Sequence, residues 1–138
     1  MYRGQYRQNA TRVMDGFRRA MKTAVREKDT AKIDDVWHRC GRNARVWSEE
    51  DVTVERRTYK VFPDFYAALS LNSDILRLVY QRGCPASSDL LRLLDKAFDV
   101  YENDNDRART AICECMRTWT EKVSRDRTPP IGKNMCYR

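Results

Sequence analysis

Over residues 10–28 the apolar side chains and the cations fall on separate arcs of a helix, and this partition constrains the fold more than any other feature. At about 100° per residue Val13, Met14, Phe17, Met21, Ala24 and Val25 share one arc. Arg12, Arg18, Arg19, Lys22 and Arg26 share another. A stripe of that kind must be buried, so the chain needs further elements to cover it. Gly16 costs about 1 kcal/mol relative to alanine within a helix and leaves the pattern readable.

The same rhythm recurs downstream. A second helix is expected from about 30 to 47, capped by Asp29 or Thr30, with Ile33, Val36, Trp37, Cys40, Ala44 and Trp47 as its stripe. His38, Arg42 and Arg45 fall on its opposite face. Pro63 permits a short helix over about 64–71, and Ser73 caps another that Gly83 and Pro85 close. Ser87 or Ser88 starts a leucine-rich helix reaching Tyr101, and a last helix spans about 105–124. Residues 48–62 depart from the rhythm. Val52-Thr53-Val54 and Thr58-Tyr59-Lys60-Val61-Phe62 are rich in β-branched and aromatic residues, which suits a short strand pair or an ordered loop as well as a helix. The expected fold is therefore all-α: a compact bundle of five or six helices with a short β or loop element around residues 50–62. It forms one helical domain over residues 1–124, followed by an extended basic tail over 125–138 that contains Pro129-Pro130 and Gly132.

Composition narrows the function classes. Hydrophobic residues make up 41% of the 138, enough for a core, and no run reaches the ~18–20 apolar residues of a membrane span. The start Met1–Gln5 is polar and has no apolar signal core. Five cysteines, an odd number without a CxxC pair, fit a reducing compartment, so the expected location is cytoplasm or nucleus. On a helix Cys113 and Cys115 point apart, and His38 and Cys40 do the same, so zinc is not expected. There is one histidine, no Gly-rich phosphate loop and no HExxH, and the acidic pairs sit where helix starts favour negative charge. The chain is read as a non-enzyme with no catalytic residue, metal ligand or cofactor.

Charge supplies the positive signal. Twenty of the 27 basic residues are arginine. The planar guanidinium grips phosphate in bidentate fashion and stacks on bases, which lysine does poorly. Residues 1–60 hold 15 basic against 9 acidic side chains, residues 61–104 hold 4 against 7, and residues 105–138 hold 8 against 4. An acidic middle between basic ends suits a scaffold with binding surfaces at its flanks, and it lets copies attract one another as a homodimer.

Arg12, Arg19 and Arg26 stand seven apart and span about 21 Å at 1.5 Å per residue. With Arg18 and Lys22 they form the expected nucleic-acid-binding face, extended by Arg42 and Arg45 where the first two helices pack. The expected partner is RNA or DNA, RNA slightly favoured, held through backbone phosphates with low sequence specificity. Secondary candidates are Arg56, Arg57 and Lys60, a C-terminal strip of Arg107, Arg109 and Arg117, the tail cations, and the Tyr2–Arg3 and Tyr6–Arg7 alternation. The competing reading is a helical protein-interaction module, an adaptor or inhibitor in the style of a small virus-encoded accessory protein. It would hold a protein partner through an apolar groove near the leucine-rich helix or through a patch of Phe62, Phe65 and Tyr66. The three tryptophans lie on apolar stripes and are read as core.

Overall fold

The structure, a computed structural model, describes residues 2–101 and 105–127, with the backbone alone over residues 2–9. Helix α1 spans Tyr2–Arg26 and buries Met21, Ala24 and Val25, the C-terminal end of its predicted stripe. Lys28 then takes a left-handed φ of 57°, and the amides of Lys28 and Asp29 return to the carbonyls of Val25 and Ala24. That closure satisfies two end carbonyls and turns the chain back. Asp29 caps helix α2, Thr30–Arg39, by accepting from the Lys32 amide at 3.0 Å.

Helix α2 ends eight residues before the expected boundary at 47. Gly41 and Arg42 both have positive φ, 75° and 56°, and this left-handed pair stops the helix although the apolar rhythm continues beyond it. A 3-10 turn, Ala44–Val46, follows, with the Asn43 side chain accepting from the Arg45 amide at 2.9 Å. Arg42 and Arg45 therefore do not share a face of α2. The 3-10 turn packs against α1 instead.

Residues 50–61 form an antiparallel hairpin of β1, Glu50–Val54, and β2, Arg57–Val61, paired from Glu50↔Val61 to Val54↔Arg57. Tyr59 and Val61 are buried and Val52 and Val54 half-buried, while Asp51, Thr53, Thr58 and Lys60 face outward. That is the period-two alternation of a sheet with one covered face. The two-residue loop is Glu55-Arg56, with φ of 51° and 70°. Hairpins of this type need positive φ at both loop positions and favour Asn-Gly there. For other residues the left-handed conformation costs roughly 1–2 kcal/mol each.

Helix α3 covers Asp64–Leu69 and α4 covers Ser73–Gln81. The α4 cap is Asn72, one residue earlier than expected, accepting from the amides of Asp74 and Ile75 at 3.1 Å. Helices α5, Leu90–Val100, and α6, Asp106–Arg127, pack against each other, and α6 also packs on α4. Helix α6 extends three residues into the expected tail; residues 128–138 lie outside the described residues. The described chain is thus mostly helical, with six α-helices and one two-stranded sheet. Among the described residues, no helix is long and apolar enough to cross a membrane.

A buried carboxylate joins the second half. Asp64, 0% exposed, accepts from the Tyr80 hydroxyl at 2.8 Å, from the Ser87 amide at 2.8 Å and from the Ser87 hydroxyl. Ser87 Oγ in turn accepts from the Phe62 amide at 2.8 Å. Burial raises the Asp64 carboxyl to about 6, against the opposing pull of its hydrogen bonds from Ser87 and Tyr80. Neighbouring Cys84 is also buried, and burial pushes its thiol well up.

Candidate nucleic-acid interface

The basic arc of α1 divides into two edges with different roles. Arg18, Lys22 and Arg26 lie toward the neighbouring elements and are engaged there. Arg18 bridges Asp15 at 2.8 Å through Nη1, and its Nε donates to the Arg45 carbonyl at 2.8 Å. Lys22 pairs with the Glu50 carboxylate, which also accepts from the Tyr66 hydroxyl. Arg26 donates to Tyr66 Oη at 2.9 Å and stacks over that ring at 4.3 Å. These three cations fasten the 3-10 turn, β1 and α3 to α1.

Arg12 and Arg19, on the other edge, are exposed, as are Arg42 ahead of the 3-10 turn and Arg45 within it. Among the described residues none of these four side chains has an ion-pair partner. The sequence therefore groups seven cations, and the structure assigns three to internal attachment and leaves four guanidinium groups facing water.

Where α1 meets the 3-10 turn there is an open cleft of about 630 Å³ lined by Asp15, Arg18, Arg19, Arg45, Trp47, Ser48 and Glu49. A second concavity of about 270 Å³ continues from it past Ala10, Thr11, Met14 and Asn43, sharing Arg18 and Arg45. Arg45 thus stands between two hollows, with Arg19 on the wall of one. The cleft is not purely cationic, because Asp15 and Glu49 also line it. Asp15 is paired with Arg18, which leaves Glu49 as the carboxylate of the lining without an ion pair among the described residues. The sequence gives no warning of Glu49 or Ser48, since their place beside α1 follows from the early end of α2.

The other candidates separate as well. Arg109 stacks on Phe98 at 4.0 Å, whereas Arg107 and Arg117 are exposed on α6. The side chains of Tyr2, Arg3, Tyr6 and Arg7, and the tail residues Lys133 and Arg138, lie outside the described residues. Trp47 is buried, its indole donating to the Arg82 carbonyl at 2.9 Å, and its ring lies 6.3 Å from that of half-buried Trp37. Trp119 donates to the Ser87 carbonyl at 2.8 Å. The expected exposed patch of Phe62, Phe65 and Tyr66 does not form: Phe65 is buried and the other two are half-buried, Tyr66 held under Arg26. An apolar groove of about 130 Å³ lies instead between α3 and α5, lined by residues that include Phe65, Leu69, Leu93 and Tyr101. Among the described residues no three His, Cys, Asp or Glu side chains converge as a metal site.

No protein-family model, curated protein or solved structure matches this chain.

Proposed function

We propose that this protein is a non-enzymatic binder of nucleic acid that grips backbone phosphates in and around the cleft between α1 and the 3-10 turn. One observation carries the reading. Arg12, Arg19, Arg42 and Arg45 remain exposed and without an acidic partner among the described residues, while their neighbours on α1 are bound into the body. Guanidinium groups held on a fixed base lose less freedom when they close on a phosphate, and the fork geometry suits bidentate contact. The net charge of +7 adds long-range attraction for a polyanion. The arginine bias favours RNA over DNA, and contacts of this kind give little base readout. An intracellular setting and self-association belong to the same proposal.

Fluorescence anisotropy against double-stranded RNA, single-stranded RNA and duplex DNA tests it. Four phosphate contacts give a slope of log K against log salt near −3.6 on a duplex, which is about a 150-fold loss between 50 and 200 mM salt. Absence of binding to all three probes at 50 mM salt would remove nucleic acid as the partner.

The groove between α3 and α5 favours one second reading, a protein-interaction module. Leu69 on its rim is 62% exposed, and an apolar partner seated there would respond to salt far less steeply.

A further inference from the structure

The hairpin loop contains a residue whose identity the fold does not require. Both loop positions are left-handed, a conformation that glycine adopts freely and that other side chains adopt at a cost. Glu55 has a structural role, because it pairs with Lys96 on α5 at 3.7 Å. Lys96 also reaches the Tyr59 hydroxyl of β2 at 3.4 Å, so one α5 side chain fastens the hairpin at its loop and at its second strand. Arg56 has no such role. It is exposed and has no ion pair or hydrogen bond among the described residues. Beside it Arg57 lies over the Tyr59 ring at 5.6 Å and is also exposed. The loop thus holds a cation at a position where glycine would relieve the backbone, and the anchoring of its neighbours keeps that cation in place.

The hairpin also connects two basic regions. β1 starts at Glu50, which Lys22 and Tyr66 tie to α1 just after the cleft residues Ser48 and Glu49. Five strand residues at about 3.4 Å each carry the chain about 17 Å from there to the tip. One strand of a DNA duplex presents about five phosphates along that length of axis. We propose that the hairpin tip, through Arg56 with Arg57 beside it, is a second phosphate-contacting element engaging the same nucleic acid as the arginine cleft. This rests on the nucleic-acid reading above and adds to it that the ligand is long enough to reach both ends of β1.

The test is Arg56→Gly in the full chain, measured against a 20-base-pair RNA duplex across a salt series and by thermal melting. Glycine accepts the loop conformation, so the melting temperature is expected to hold or rise. Removal of one phosphate contact makes the salt slope shallower by about 0.9 and weakens binding several-fold at 50 mM salt. A variant with the native slope and affinity overturns the hairpin contact while leaving the cleft reading intact. Native protein that does not bind the duplex overturns this inference, and native protein that binds none of the three probes overturns the cleft reading with it.

Discussion

Asp64 permits a quantitative test of how the second half of the molecule is held. Its carboxyl titrates near 6 in the folded protein, against about 3.9 in an unfolded chain. Between those values the folded state binds the extra proton, so acidification through that window stabilises the protein, and raising the pH through 6 removes the gain. A difference of about two pH units corresponds to about 3 kcal/mol, or roughly 10 °C in melting temperature for a chain of this length. Asp64→Asn isolates the effect, because it removes the charge at nearly constant shape. Its carbonyl can keep the Tyr80 hydroxyl and the Ser87 amide as donors. Its amide must face Ser87 Oγ, which already accepts from Phe62, so the serine hydroxyl proton loses its acceptor at a cost of about 1 kcal/mol. The assay is urea unfolding of both proteins at half-unit steps from pH 4 to 7.5. The native protein should lose about 2 kcal/mol relative to Asp64→Asn across that range, with the variant equal or more stable at the upper end. A constant difference between the two proteins across pH 4–7.5 would refute the argument that Asp64 takes up a proton on folding.

Three further outcomes follow from the described contacts. Charge reversal at Arg12, Arg19 and Arg45 should abolish nucleic-acid binding in the anisotropy assay while the far-ultraviolet circular dichroism stays unchanged, because these side chains hold no described acidic partner. Lys22→Met should have the opposite profile: a loss of about 1 kcal/mol in urea unfolding, from a partly exposed pair, with the salt slope of binding shifted by less than one unit. Gly41→Ala has open space for its new methyl group but must hold a φ of 75°, so it should cost about 1 kcal/mol in melting experiments without disturbing the core.

The helical elements are legible because each buries one face and repeats apolar residues at 3.6. Met21, Ala24 and Val25 are core where the wheel puts them, and Ile33 and Val36 likewise. The end of α2 is not legible from the same signal. Trp47 continues the rhythm after Gly41 and Arg42 have turned the chain, because it is buried through a tertiary bond to the Arg82 carbonyl rather than through helix geometry. The hairpin is half legible: its strands have β-branched composition, but its loop is Glu-Arg where Asn-Gly would announce a turn. For the arginine face, periodicity places five cations on one arc and is silent about which edge meets a neighbour. That depends on Arg45, Glu50 and Tyr66, which lie 27 to 40 residues along the chain from the cations they engage.

The placement of the tryptophans gives the molecule its own optical reporters. Trp47 lines the cleft and lies 6.3 Å from Trp37, while Trp119, on α6 in the other half, donates to the Ser87 carbonyl just ahead of α5. With Trp37 and Trp119 replaced by phenylalanine, emission from Trp47 would follow an anion entering the cleft without any attached dye. Trp119 alone would follow events around Ser87 and the carboxylate beneath it. Occupancy of the cleft and loosening of the α5–α6 end are therefore separable signals from one unlabelled chain.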